Sequence, residues 1–175
     1  SIKGFSLIRS NNDRLLLFVH GLASNSTLFL PLANKLFKLG YSSIGIDLRG
    51  HGNSSKPSNG YTLETFSEDI SIIIRRHLKV KPIFIGQSMG ANLGVMLAKE
   101  KKPIIQGCIC IDGGFINLKN KFPNWKECEK QLTPPNLDHL KLPKLKELIE
   151  INHSDWPNLS IQGTLNNWKI FNNLK

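Results

Sequence analysis

Short runs of consecutive apolar residues alternate along this chain with stretches in which apolar residues recur every three or four positions. Leu15-Leu16-Leu17-Phe18-Val19 is unbroken and stops at His20-Gly21, which suits a strand covered on both faces and followed by a turn. Leu28, Leu32, Leu36 and Leu39 then keep helical spacing up to Gly40. Asn25 or Ser26 stands where that helix would be capped, and Gly40 where it would end. A second strand is predicted over 42–47, and Gly50, Gly52 and Pro57 mark a long loop after it. Helical spacing returns over 62–78, with Thr65 and Glu68 in capping-box register. A third strand over 83–85, a third helix over 91–101 and a fourth strand over 104–111 complete the rhythm. Strand and helix alternating in this way predict crossover units on a mainly parallel sheet flanked by helices, an α/β fold.

After Gly113-Gly114 the alternation stops. Helical segments are predicted near 125–132, 142–152 and 159–174, separated by Pro134-Pro135 and Pro157. The boundary falls near residue 115, giving a strand–helix core over 1–114 and a helical segment over 115–175. Trp125, Trp156 and Trp168, with Phe115 and Phe122 nearer the boundary, either pack those helices onto the core or line an apolar pocket. The amphipathic stretch 142–151 suits docking onto the core, or contact with a membrane surface or partner.

At 175 residues with 40% apolar side chains, the chain is long enough for one buried core. Its longest apolar runs fall far short of the ~20 residues that span a bilayer. The chain opens at Ser1 without a charged-then-apolar leader, so a secretory signal is expected to be either absent or already removed. The net charge of +10 raises a nucleic-acid reading, but 18 of the 23 basic residues are Lys and they are dispersed. The two local clusters, Arg75-Arg76-His77 with Lys79 and Lys81, and 99–102, fall at predicted helix ends, where positive charge complements the dipole. No zinc spacing and no interleaving of basic and aromatic residues supports base reading, so nucleic acid is not an expected partner. Cys108 and Cys110 would share one face of a strand, too far apart to bridge easily, and three cysteines cannot all pair. They read as small buried hydrophobes in a reducing, cytoplasmic setting.

The chemistry concentrates in Gly86-Gln87-Ser88-Met89-Gly90, which follows the third strand and opens the third helix. A bare GxSxG is expected by chance in roughly one chain in twenty of this size; between a strand and a helix it is far more specific. The glycines permit a tight, strained turn that lifts Ser88 clear of the sheet. The helix N-terminus would then favour negative charge beside Ser88, with the Met89 N–H as a donor. A second donor, the Leu22 N–H, is expected from His20-Gly21-Leu22-Ala23 at the end of the first buried strand. The loop Asp47-Leu48-Arg49-Gly50-His51-Gly52-Asn53-Ser54 is Gly-rich but lacks a nucleotide-binding ending and does not run into a helix.

Together, His20-Gly21, the 47–54 loop and the GxSxG turn, in that order and at these intervals, resemble the α/β-hydrolase superfamily over 1–114. The helical remainder resembles that family's cap, or lid. The resemblance implies that the four strands are the third to sixth of the family's sheet and that 2–8 is a remnant of its earlier hairpin. It also implies a serine hydrolase acting on carboxylic esters or related acyl compounds. Ser88 would be the nucleophile, Leu22 and Met89 the oxyanion hole, and His20 and the 49–54 loop supports of the pocket. No metal or organic cofactor is implied, and the partner is a small acyl substrate. The family's general-base histidine and its usual acid come later in its sheet than anything here, so both are expected beyond Lys175. The 175-residue chain would then be inactive alone and would self-associate through an uncovered strand edge. Asp112, ending the fourth strand, is a candidate acid or an order-giving carboxylate for the glycine turn after it. His20 and His51 match supporting positions, and His77, His139 and His153 read as surface or locally bonded residues. Asp47 reads as a tie for its own loop. Acyl transfer and carbon–carbon cleavage share the same motifs. A small-ligand binding module without turnover, or an inactive truncated remnant, is the alternative from a different class.

Overall fold

The computed structural model describes residues 1–10, 14–114, 118–133 and 139–173, without the side chains of 118, 132 and 168–173. Phe115, Pro134, Pro135 and the Trp168 side chain therefore lie outside what is described. Five strands form one sheet: β1 (Lys3–Leu7), β2 (Leu15–Val19), β3 (Ser42–Asp47), β4 (Ile83–Gln87) and β5 (Gly107–Ile111), in the order β1-β3-β2-β4-β5. All neighbours are parallel except β1, which runs antiparallel along β3. The predicted α/β class is the observed one.

Side chains alternate across β2 and divide the core in two. Leu17 and Val19 face a cluster with Ile46, Phe84, helix α2 (Leu63–His77) and helix α3 (Met89–Ala98). Leu16 and Phe18 face Phe29, Ala33 and Ile85, on the side of helix α1 (Leu30–Lys38). With helices on both faces every residue of β2 is buried, which is why its sequence shows no polar alternation.

Several predicted boundaries move, three of them for a physical reason that local contacts give. Asn25 does cap the first helix, its Oδ1 accepting from the Thr27 N–H at 3.1 Å. The turn it starts, however, is a short 3-10 helix over Ser26–Phe29, because Pro31 has no N–H to bond the Thr27 carbonyl as an α-helix would. The cap of α2 is Thr62, whose Oγ1 accepts from the Thr65 N–H at 3.2 Å; Thr65 and Glu68 lie inside the helix. β5 begins at Gly107 rather than 104, since its partner ladder starts only at Ile83. Ile104 and Ile105 are buried in the core without strand pairing.

Beyond Gly114 the described chain forms α4 (Leu118–Lys121), α5 (Trp125–Leu132), α6 (Leu142–Asn152) and α7 (Asn158–Asn173). α6 and α7 share their own apolar cluster of Leu145, Ile149, Ile161 and Leu165 with Trp156. α7 meets the 24–27 turn through a polar stripe instead. Asn25 Nδ2 donates to the Ser160 carbonyl at 3.1 Å, Thr27 Oγ1 and Ser160 Oγ lie 2.9 Å apart, and Asn167 Nδ2 donates to the Ser24 carbonyl at 3.1 Å. Asn167 Oδ1 also accepts from the Gly52 N–H at 2.9 Å. Gly163 lets the helix come this close: a β-carbon there would stand 2.3 Å from Asn25 Nδ2. Asn167→Ala, which strands two backbone groups at once, should cost about 2–4 kcal/mol, read as a lowered urea midpoint at unchanged m-value.

The basic clusters occupy helix ends: Arg75, Arg76 and His77 form the last turn of α2 and Lys99 caps α3. Cys108 and Cys110 share a face of β5 as expected, with their Sγ atoms 3.6 Å apart, but both are only half-buried. Burial pushes the Cys108 thiol up to about 12, so it stays protonated. β5 pairs with β4 alone and leaves Ile109 52% exposed and Ile111 38% exposed. Such an edge favours self-association, and sedimentation of the isolated 175-residue chain should show dimers or larger species. Among the described residues no helix is long and apolar enough to cross a membrane.

Candidate active site

β4 ends at Gln87 and α3 begins at Met89, so Ser88 is the single residue of the turn between them. Its backbone sits at φ 52°, ψ −117°, a conformation that residues with side chains hold only when their surroundings impose it. The Ser88 N–H donates to the Ile111 carbonyl on β5 at 2.8 Å, and the Ser88 carbonyl accepts from Ala91 at 2.9 Å. The flanking glycines are sterically required. A β-carbon at Gly86 would fall 2.3 Å from the Gly90 carbonyl oxygen, and one at Gly90 would fall 2.2 Å from that of Val19. Gly113, just past β5, is in the same position, with its β-carbon site 2.6 Å from the Ser88 carbonyl oxygen.

The His20-Gly21-Leu22-Ala23 turn lies directly against this bend. The Gly21 N–H donates to Gln87 Oε1 at 3.1 Å, and a β-carbon on Gly21 would stand 3.0 Å from that of Ser88. Ala23, at φ 59°, is a second residue held in the left-handed region. Neither the Leu22 nor the Met89 N–H bonds another backbone group among the described residues. For Met89 this follows from its place as the first residue of α3. The bend and the facing turn line one cavity of about 590 Å³, within the range of small-molecule sites. α6 and the turn after it contribute its far wall, including Leu145, Ile149, His153 and Trp156.

The supporting residues are anchored below. His20 is fully buried: its Nε2 accepts from the Leu48 N–H at 3.0 Å and its Nδ1–H donates to the Gly21 carbonyl at 2.7 Å. Both ring nitrogens are therefore engaged, which fits a strut and not a base. Asp47 does tie its loop, Oδ2 accepting from the Asn53 N–H at 2.8 Å, and Oδ1 takes the Ser26 N–H at 2.8 Å as well. Arg49 clamps the same loop to α2 through a bidentate pair with Asp69, at 2.6 and 2.7 Å. His51 is buried, its Nδ1–H donating to the Arg49 carbonyl at 3.0 Å.

Burial, together with the His51 charge, lowers His20 to about 4 from 6.5, and burial lowers His51 also. The folded protein thus prefers both rings neutral. Stability is complete above the unfolded value near 6.5 and is lost as pH falls toward 4, where unfolded chains bind protons that the native rings refuse. The His20 contribution lost across that window is about 3 kcal/mol. Urea titrations at pH 7 and pH 4.5 should show it, and His20→Gln should flatten the slope.

Of the other residues singled out by sequence, Asp112 is exposed at φ 50° and makes no hydrogen bond among the described residues. It therefore orders nothing in the glycine turn. His77 and His139 lie away from the cavity. His153, which the sequence reads as a surface or locally bonded residue, lines the cavity with its ring stacked on Trp156 at 4.0 Å. Trp125 is 69% exposed, whereas Phe122 is buried. Sequence reasoning named Asn25 only as a helix cap and missed Ser160, Thr164 and Asn167. The only signal was the spacing Ser160, Gly163, Thr164, Asn167, a small and polar stripe on one helix face. Among the described residues no three His, Cys, Asp or Glu side chains converge as metal ligands.

A strained serine alone between strand and helix, on a mainly parallel sheet and beneath a cavity, defines a fold and site class that comparison identifies. The profile of the alpha/beta hydrolase fold matches residues 14–154, and the chain belongs to that family. Among curated proteins it is 37% identical over 98 residues to the 2-(acetamidomethylene)succinate hydrolase of Mesorhizobium japonicum, covering 56% of this chain and 35% of that one. Among solved structures it resembles a putative hydrolase from Rickettsia typhi (28% identity, TM-score 0.68, 93% of this chain and 59% of that one). It also shares its fold with an epoxide hydrolase from Bacillus megaterium (20% identity, TM-score 0.73, 96% of this chain and 63% of that one). The chain thus spans about a third of the first relative's length.

Proposed function

We propose that the protein is a serine hydrolase that cleaves carboxylic esters or related acyl compounds. The observation that carries this is the Ser88 backbone, forced to φ 52° between β4 and α3 over the cavity. Strain of this kind is stored where a side chain must be presented. Ser88 Oγ attacks the acyl carbonyl, and the Leu22 and Met89 N–H groups receive the developing oxyanion at the N-terminus of α3. An acyl-serine forms as the alcohol leaves with a proton, and water then releases the acid.

Serine needs a neighbouring base, and neither His20 nor His51 can serve: His20 Nε2 is taken by the Leu48 N–H, and His51 Nε2 is buried away from the cavity lining. The resemblance to the family implies a base histidine after a later strand than any described here, and the relatives are longer than the stretch this chain matches. Asp112, next to Gly113 under the bend, is the acid candidate within the chain. Residues 115–175 act as the cap that closes the cavity over the substrate. A nitrophenyl ester mixed with the full-length protein should release a burst of nitrophenol equal to the protein concentration, then a slower steady rate. Ser88→Ala should show no burst; a burst that survives it would remove Ser88 from the chemistry.

A further inference from the structure

We infer that the cavity over Ser88 takes an uncharged, largely apolar acyl group bearing one hydrogen-bond acceptor, which the hydroxyls of Ser24 and Thr164 bind. The inference rests on Ser88 being the nucleophile of this cavity. Leu145, Leu148, Ile149 and Trp156 give it an apolar wall, and no Lys, Arg, Asp or Glu is among its described lining residues. A carboxylate on the acyl chain would lose its hydration there with no Lys or Arg to meet it, His153 being the one ionisable side chain among the described lining residues.

Six polar side chains are among the described lining residues, and two of them, Ser24 beyond β2 and Thr164 on α7, stand out as buried without a partner. They are 3% and 5% exposed, and neither Oγ has a hydrogen-bond partner. Buried hydroxyls are rarely left so, because each forfeits its bond to water. Their neighbours are all engaged in docking α7: Asn25, Thr27, Ser160 and Asn167 make the bonds across that contact. Thr164 shares the helix face of Ser160 and Asn167 yet takes no part, and Ser24 joins only through its carbonyl. Asn167, one turn beyond Thr164, holds α7 against the Ser24 carbonyl. The other buried side-chain atoms without a partner, Ser43 Oγ and His51 Nε2, belong to residues outside the cavity lining. Both oxygens are shielded from solvent where they stand, so the inference requires each side chain to turn about χ1 toward the cavity that its residue lines. Each has a hydrogen to donate, so an ether or carbonyl oxygen on the acyl chain is the complementary group.

The test is a series of nitrophenyl esters of octanoic acid in which an ether oxygen replaces one methylene at each position in turn. Rates are normalised to hydroxide-catalysed hydrolysis of the same ester. The full-length protein should favour one ether position over the all-methylene chain by about fivefold in kcat/KM, the effect of one neutral hydrogen bond. That ratio should fall toward one in Ser24→Ala and Thr164→Val and vanish in the double variant. No favoured position in the wild type, a ratio that survives the double variant, or a preference for a chain ending in carboxylate would overturn the inference. If no ester is turned over, the proposed function fails, and the corresponding amides decide the inference by Trp156 fluorescence. A fivefold difference in Kd that the double variant erases supports it, and equal Kd values overturn it.

Discussion

Ser88→Ala lowers kcat/KM of the full-length protein for an activated ester by about 10⁴-fold or more, the loss typical when a nucleophile acting with its base is removed. Binding should change little, because the cavity wall is made chiefly by Leu145, Ile149 and Trp156 and alanine fits the space of serine. Ground-state affinity for an unreactive amide should therefore stay within about twofold while turnover disappears, the signature of an interaction made in the reaction and not in binding. A loss of tenfold or less, or a parallel loss of affinity, would mean that Ser88 shapes the pocket without attacking the substrate. The substitution should also relieve no backbone strain, since alanine resists φ 52° as serine does.

Gly90→Ala should unfold the protein or destabilise it by about 3 kcal/mol or more. Its β-carbon would stand 2.2 Å from the Val19 carbonyl oxygen and 2.8 Å from that of His20. Both obstacles are backbone on the central, fully buried strand end, so neither can swing aside as a side chain could. Relief requires moving α3 away from the sheet, which breaks the packing of Leu93 and Leu97 against Phe84. Overpacking of this kind exceeds an ordinary core substitution because rigid atoms are on both sides. Chemical denaturation should show the fall directly. Gly107→Ala is the control: nothing lies within 4 Å of its added carbon, and its effect should stay below about 1 kcal/mol.

The parts of the fold legible in sequence are those whose signal is local. β2 reads as a buried strand because all its residues are covered, and Gly40 reads as a helix end because the chain there turns at φ 95°. The GxSxG turn was legible because its two glycines answer steric contacts within five residues and against the neighbouring strand. Ile104 and Ile105 carried a strand-like pattern that reports burial, while pairing depends on where β4 begins. Thr65 with Glu68 fits the capping-box spacing, and only the chain's entry into α2 selects Thr62. The docking of α7 was not legible at all: Asn25 meets Ser160 across 135 residues, and no local pattern names a partner at that distance. His153 and Trp156 reach the cavity wall through the same helical segment, which is why the sequence places His153 only as a surface or locally bonded residue.

A fluorophosphonate reacts only with a serine whose oxygen is activated and whose phosphoryl oxygen can be held by nearby donors. Peptide mapping of the labelled full-length protein should find the adduct on Ser88, at one per chain, with Ser88→Ala unlabelled. A folded protein that takes up no label, or takes it on another residue, would contradict the assignment of Ser88 as nucleophile.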